Sequence, residues 1–157
     1  MQDVMQIATW FCEMYHKQFH VAIDEMKLHK LLYLSQRESL IKCGCPLFQD
    51  EFRAWKYGPV MIKVREAFHA GMFARMTQAV CQLPKDVVLI LKFVFDNYAG
   101  KNSWSLSRLT HSETSWRLAR GCLDEWEHGD GVIKTADIQI DAQRVAARRQ
   151  MLSSLGL

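Results

Sequence analysis

The sequence predicts a mainly α protein: a single compact helical domain with a small β element around residues 51–57. Most segments carry apolar residues at three- and four-residue spacing, which is the period of an amphipathic helix. The β element instead alternates, so that Phe52 and Ala54 point to one side and the residues between and after them to the other. Gly58-Pro59 ends this strand, because proline has no N–H to donate to a ladder.

Composition limits the classes of protein. At 157 residues, without a repeat or a low-complexity linker, residues 1–157 are expected to form one domain. A net charge of +3 is too small to indicate nucleic-acid binding by itself. No apolar run approaches the roughly 18 residues that span a bilayer, and no signal-peptide pattern opens the chain. A cytoplasmic location, with the five cysteines as reduced thiols, is therefore expected.

Two helices are predicted before the β element. Apolar spacing indicates the first over Met5–Phe19. Asp24 is a candidate N-cap for the second, about Glu25–Lys42, whose broad apolar surface predicts a central position in the fold. The basic residues of this second helix are expected on its remaining, solvent-facing side: Lys27, Lys30 and Arg37.

The middle of the chain is less regular. A third helix is predicted to begin at Pro59 and to run to about His69, since proline suits a first helical position. Met72–Leu83 is ambiguous between a loop and a short strand, which could pair with the Phe52–Tyr57 strand.

Three helices are predicted next. Pro84 near the start and Gly100 just past the end bracket the best defined of them. Ser103 and Ser112 are candidate N-caps for two short helices. Glu113 would lie in the first turn of the second short helix, where a carboxylate is favoured.

The C-terminal part contains one ambiguous segment and one helix. In Val132–Ile140, Ile138 and Ile140 alternate with polar residues, which fits a short strand. Asp141 is then expected to cap a final helix over about 141–151.

Three segments together resemble a known family, the Panacea domain of SocA-like antitoxins and phage-associated proteins. They are Met26–Tyr33 (MKLHKLLY), Ala54–Val60 (AWKYGPV), and Leu109–Glu113 (LTHSE) followed by Trp116. The resemblance runs over about residues 7–126, so the final helix would be a C-terminal extension. Within these segments, the residues expected to be structural are Leu31, Gly58, Pro59, His111 and Trp116.

The resemblance implies an antitoxin that neutralises a toxin by direct protein contact, without catalysis or a cofactor. The toxin would usually be encoded by a neighbouring gene. Two other roles remain open: a proteolytic adaptor that delivers the toxin to a protease, and a phage protein that binds a host factor. Partner-binding residues are expected on the second helix and at the turn: Lys27, Tyr33, Trp55, Lys56 and Tyr57.

An enzyme is an alternative of a different class. His111-Ser112-Glu113 has the histidine-x-glutamate form of zinc deaminases, but no paired-cysteine motif follows it. Cys43-Gly44-Cys45 lacks the second pair that a structural zinc site needs. No metal site is therefore expected, and a structural role for His111 is favoured.

A small DNA-binding regulator is the other alternative. The last third of the chain is rich in arginine, and such a regulator would lose DNA affinity steeply with salt. Nearby acidic residues favour ion pairs and solvated faces instead, so nucleic acid is not the expected partner. The arginines concerned are Arg117, Arg120, Arg144, Arg148 and Arg149.

Overall fold

A computed structural model describes residues 1–75 and 82–157 and confirms the mainly α prediction. The helices are α1 (Val4–Phe19), α2 (Glu25–Cys43), α3 (Ile62–His69), α4 (Met72–Arg75), α5 (Lys85–Tyr98), α6 (Ser103–His111), α7 (Thr114–Arg120) and α8 (Thr135–Ser154). The strands β1 (Phe52–Trp55), β2 (Gly58–Val60) and β3 (Val132–Ile133) form a small antiparallel sheet in the order β2-β1-β3. Over the described ranges, no helix is long and apolar enough to cross a membrane.

The central element is α2, as its broad apolar surface predicts. It packs against α1, α5, α6 and α8, and every residue from Lys27 to Leu40 is buried. Asp24 caps its N-terminus by accepting a hydrogen bond from the Lys27 backbone N–H at 2.9 Å. Gly44 ends the helix in a left-handed conformation, with φ of 66°.

The basic side of α2 is not solvated, so that expectation is wrong. Lys27, Lys30 and Arg37 are all at most 6% exposed. Lys27 Nζ donates to the Tyr15 hydroxyl at 3.1 Å and to the Ala99 carbonyl at 2.9 Å. A helix surrounded on all sides has no free face, and its cations must find acceptors in neighbouring elements. Lys27 is therefore not available for partner contact.

Tyr33 is also interior, in contrast to the predicted contact role. The side chain is fully buried, and its hydroxyl lies 2.7 Å from Ser115 Oγ and 3.4 Å from Asp141 Oδ2. Burial raises its pKa well above the ordinary value of 10.0, so the phenol stays protonated. Beside it, Arg37 pairs with Glu113. These contacts join α2 to α7 and α8.

Asp141 has a different role from the predicted one, because α8 begins at Thr135 and not at about 141. Asp141 is fully buried within α8 and caps α7, accepting from the backbone N–H groups of Thr114 and Ser115 at 2.8 Å each. The isoleucine alternation that suggested a strand belongs to this helix. Ile138 is buried, whereas Ile140 is 48% exposed.

The N-caps of α6 and α7 each lie one residue away from the predicted position. Asn102, not Ser103, is the N-cap of α6 and accepts from the Ser105 N–H at 2.8 Å. Glu113, not Ser112, occupies the N-cap position of α7, but its side chain is directed to Arg37. The N-cap function at α7 therefore passes to a carboxylate that is distant in sequence.

The sheet confirms the alternation of β1 but not the predicted helix start. Phe52 and Ala54 are buried, while Arg53 and Trp55 are half-buried. Pro59 lies in β2, where it faces Ala54, and α3 begins only at Ile62. The partners of β1 are β2 and β3. In the segment proposed as an alternative strand, Met72–Arg75 is helical, and residues 76–81 lie outside the described part.

Gly58 is required by both backbone conformation and space. Its φ is 111°, and a Cβ there would lie 2.6 Å from Thr110 Oγ1 and 2.7 Å from Lys30 Cε. We predict that Gly58→Ala lowers the free energy of unfolding by about 2–4 kcal/mol. Gly44→Ala is the matched control, because Gly44 also has a positive φ but open space around it, and about 1 kcal/mol is expected there. Equal losses in chemical denaturation would rule out the steric contribution.

Asp141 supports a second prediction. Burial acts to raise its pKa, but hydrogen bonds donated by Ser115 and Thr114 lower the pKa below its ordinary 3.8. Its contribution to stability is therefore present above pH 3.8 and is lost as pH falls below that value.

We expect Asp141→Ala to cost about 3 kcal/mol of unfolding free energy at pH 7, because α7 loses its cap and Tyr33 loses a buried partner. Asp137→Ala, in the first turn of the same helix, should stay within about 0.5 kcal/mol. Similar losses of unfolding free energy for the two variants in urea would contradict a role of Asp141 in joining α7 to α8.

Candidate functional site

A groove of about 820 Å³ lies beside the β1–β2 hairpin, between it and the helices α2 and α3. Three of the predicted partner-binding residues line it: Trp55, Lys56 and Tyr57. All three are half-buried or exposed, with Tyr57 38% exposed. The groove is thus formed by the hairpin segment of the sequence motif, whereas the other two predicted contact residues, Lys27 and Tyr33, are buried.

Trp55 forms a fixed wall of this groove. Its indole Nε1 donates to Asp130 Oδ1 at 2.9 Å, and the Arg65 guanidinium lies 5.0 Å from the ring centroid. Cation–π contacts of this kind stabilise an exposed arginine modestly. Asp130 lies in the loop between α7 and β3, so the shape of the groove depends on a segment far from the hairpin in sequence.

Glu25 is the centre of a charged cluster at the groove. Its carboxylate accepts from Arg65 at 2.6 Å and lies 2.7 Å from His69 Nε2 and 3.3 Å from His29 Nε2. These hydrogen bonds, of which that with His29 has the largest effect on the pKa, lower the pKa of Glu25 to about 2 against the opposing effect of burial. Burial lowers the pKa of His29 below 6.5, and its Nδ1 accepts from the Met61 N–H. The cluster holds α3 against α2.

Lys30 also lines the groove, although it is only 1% exposed. Its Nζ donates to the Pro59 carbonyl at 3.3 Å. Burial lowers its pKa to about 7, despite the opposing charges of Asp24 and Glu25. Sequence reasoning missed this residue, because only the tertiary structure encloses it beneath Gly58.

An exposed aromatic cluster adjoins the groove: Tyr57, Trp104 and Trp126. The Tyr57 ring meets Trp104 edge-on at 5.4 Å and Trp126 at 6.1 Å. Trp104 is 57% exposed and Trp126 55% exposed. Large aromatic side chains dominate the binding energy of protein interfaces. The abundance of tryptophan was a signal in the sequence, but the grouping of these rings depends on the packing of α6 and the loop before β3.

Behind the cluster lies a stacked pair, His111 and Trp116, for which the sequence predicts a structural role. His111 and Trp116 stack at 4.1 Å with an interplanar angle of 14°, and both are at most 5% exposed. Trp116 Nε1 donates to the Trp55 carbonyl at 2.9 Å. Leu31, fully buried, belongs to the core beneath. The stack therefore fixes the hairpin to α7.

The histidine-x-glutamate motif does not form a catalytic pair. His111 Nδ1 lies 2.9 Å from Glu125 Oε1, whereas Glu113 is paired with Arg37. Cys43 and Cys45 are exposed free thiols. Within residues 1–75 and 82–157, no group of three or more histidine, cysteine, aspartate or glutamate side chains could hold a metal ion.

Lys30 provides a prediction with a defined sign. The buried Lys30 ammonium destabilises the fold, because its one hydrogen bond is long and burial lowers its pKa from 10.5 to about 7. Between these two pH values the unfolded chain keeps a proton that the folded chain releases, so the cost of burying the charge is complete below about pH 7 and is lost as pH rises towards 10.5. We expect Lys30→Met to raise the thermal midpoint. The gain should be largest below pH 7 and should shrink as pH approaches 10.

Lys56→Met is the control. Lys56 lines the same groove but is only half-buried, whereas Lys30 is buried. The thermal midpoint of this variant should change little. A lower midpoint for Lys30→Met at all pH values would show that the ammonium stabilises the hairpin.

Comparison with known proteins identifies the family of the segment that contains the hairpin beside this groove and two rings of the cluster, Tyr57 and Trp104. No curated protein and no solved structure matches the chain. The family model described as "Antitoxin SocA-like, Panacea domain" matches residues 28–117. This range covers more than half of the chain and includes the β1–β2 hairpin, Trp104 and the His111–Trp116 stack. The chain therefore belongs to the antitoxin SocA-like, Panacea domain family.

Proposed function

We propose that this protein is an antitoxin that neutralises a cognate toxin protein by binding it directly, with the aromatic cluster as the principal contact. The observation that carries the proposal is the meeting of three exposed rings, Tyr57, Trp104 and Trp126, of which the first two lie within the part of the chain matched by an antitoxin family. Rings in mutual contact at a surface supply large apolar area together with polar edges, as interface hot spots do.

The backing of the cluster supports this proposal. The Tyr57 carbonyl accepts from Ser107 Oγ at 2.6 Å, which fixes the turn to α6. The Trp55 carbonyl accepts from Trp116, which fixes β1 to α7. A surface that is already ordered loses little conformational entropy on binding, so more of the contact energy appears as affinity.

The groove offers a second set of contacts at the same face. Lys56 lies with its Nζ 4.9 Å from the Tyr57 ring centroid, and Trp55 provides the neighbouring wall. A toxin segment that covered the aromatic cluster would reach both residues. We infer a continuous binding face from Trp104 across Tyr57 to Trp55.

We propose that the protein acts without catalysis, in the cytoplasm, on a toxin encoded by an adjacent gene. Residues 1–157 would act as one domain, because α8 packs on α2 and supplies the Asp141 cap of α7. Occlusion of the toxin is one mechanism and delivery of the toxin to a protease is the other. Both use the same contact, and the fate of the bound toxin distinguishes them.

The two alternative classes receive less support. Arg144 lies 3.4 Å from both Glu113 and Asp141, and Arg149 pairs with Glu38 at 3.0 Å, so the arginine-rich helix is partly neutralised. This weakens the case for a DNA-binding surface on α8. An enzyme using His111 with Glu113 lacks the required contact, because Glu113 pairs with Arg37.

The test is co-expression with the product of the adjacent gene, scoring growth rescue and co-purification. We predict that Tyr57→Ala and Trp104→Ala each weaken toxin binding by about 30-fold or more, the value expected for a hot spot. Thermal midpoints should change little, because both rings are exposed. Leu89→Ala is the control: Leu89 is 66% exposed on α5, and its removal should leave binding unchanged.

Binding that survives both aromatic substitutions would contradict the contact surface, and a harmless neighbouring gene product would contradict the antitoxin role. Loss of toxin protein on co-expression, restored in a protease-deficient strain, would identify the adaptor mechanism. Stable toxin in a purified complex would identify occlusion.

A further inference from the structure

A second, smaller pocket lies between α6, α7 and the loop that follows α7. Its volume is about 430 Å³, and three arginines line it: Arg108, Arg117 and Arg120. Arg108 and Arg117 are exposed, whereas Arg120 is 5% exposed. The pocket is separate from the groove, and the proposed toxin contact does not use its arginines.

The charge of this pocket is not balanced. None of its three arginines forms an ion pair with a carboxylate in the described ranges 1–75 and 82–157. Glu125 also lines the pocket and is paired with His111. Three guanidinium charges and one carboxylate leave a net charge of +2 when His111 is neutral.

His111 lines the pocket and has a ring nitrogen without a hydrogen-bond partner. The Glu125 carboxylate accepts from Nδ1–H at 2.9 Å. Nε2 is buried and has no hydrogen-bond partner, and the whole residue is only 5% exposed. A buried polar atom without a partner is rare and costs stability. When Nδ1 carries the proton, Nε2 of the neutral ring can only accept a hydrogen bond, so His111 contributes a ring to the pocket wall and not a donor.

Arg120 is held in place by the backbone. Its terminal nitrogens donate to four carbonyls, those of Ala54 at 3.1 Å, Asp124 at 2.8 Å, Glu125 at 3.3 Å and Glu127 at 2.5 Å. Its guanidinium lies 4.7 Å from the Trp116 ring centroid. Its Nε is buried and has no partner. Carbonyl oxygens accept hydrogen bonds but do not neutralise the charge. The pocket thus contains a fixed, uncompensated cation beside two unsatisfied nitrogens.

We propose that this pocket binds a phosphate group, held by hydrogen bonds from Arg108 and Arg117 and by the charge of Arg120. A phosphate monoester carries nearly two negative charges near neutral pH and has three terminal oxygens, which match the net charge and the number of cations. Guanidinium groups suit phosphate because their planar donors bind its oxygens in pairs. A carboxylate has one charge and two oxygens and would satisfy fewer of these donors.

The volume limits what is attached to the phosphate. A pocket of about 430 Å³ lies within the roughly 300–1,000 Å³ range of small-molecule sites. It can contain the phosphate and part of an attached group, for which Trp116 and Leu123 provide an apolar side. The charge match favours a phosphate monoester such as a mononucleotide over a nucleic-acid backbone, whose phosphodiesters each carry one charge and two terminal oxygens, and the experiment separates these sources.

The experiment is isothermal titration of the full chain, at pH 7 in chloride buffer, with inorganic phosphate, adenosine monophosphate and a 12-nucleotide single-stranded RNA. We expect binding of phosphate-bearing probes and a loss of about 100-fold in the double variant R108A/R117A, at about tenfold per arginine. These two side chains are exposed, so the fold should persist, which the thermal midpoint checks.

Arg148→Ala is the matched control, because Arg148 is an exposed arginine on α8, outside the pocket. It should leave affinity unchanged. Tighter binding of the mononucleotide than of the RNA assigns a mononucleotide to the pocket, and the reverse assigns a nucleic-acid backbone; either supports phosphate recognition.

Three results would overturn the proposal: no binding of any probe, the same loss in Arg148→Ala as in the double variant, or citrate binding as tightly as phosphate. The proposal is independent of toxin binding. Failure of growth rescue in the co-expression test leaves it standing, and failure of phosphate binding leaves the antitoxin role standing.

Discussion

The buried contact between Arg37 and Glu113 is the interaction on which the functional end of the molecule depends. It joins the middle of α2 to the start of α7, and the hydroxyl of Tyr33 lies against Ser115 and Asp141 in the same interior. Buried charges are tolerated only when they are paired and hydrogen-bonded. Removal of one partner would leave the other uncompensated, so the network determines how α7 and α8 pack on α2.

The position of α7 in turn determines the position of the hairpin. Trp116 lies on α7 and donates to the Trp55 carbonyl, while Arg120 at the end of α7 donates to the Ala54 carbonyl. Two hydrogen bonds thus attach β1 to one helix. The aromatic cluster, carried by the hairpin, α6 and the loop before β3, is ordered through these attachments. A short hairpin alone would be only marginally stable in water.

His111 connects the two candidate sites. Its ring stacks on Trp116, lies 5.5 Å from the Trp126 ring, and lines the pocket formed by the three arginines. The Lys30 amine lies in a comparable position beneath Gly58, where burial changes its pKa. Both residues belong to the segments that suggested the family. Each lies inside the protein but borders a cavity, which distinguishes it from a residue of the apolar core.

The sequence by itself determined the helical class, the central place of α2, the alternation of β1 and the family, because these depend on local periodicity, caps and contiguous motifs. It did not determine the burial of Lys27, Lys30, Arg37 and Tyr33, since a polar side chain is enclosed only when other helices close around it. The capping of α7 by Asp141 and the grouping of Tyr57, Trp104 and Trp126 also required the tertiary structure. These contacts join residues far apart in the chain, and no local spacing encodes them.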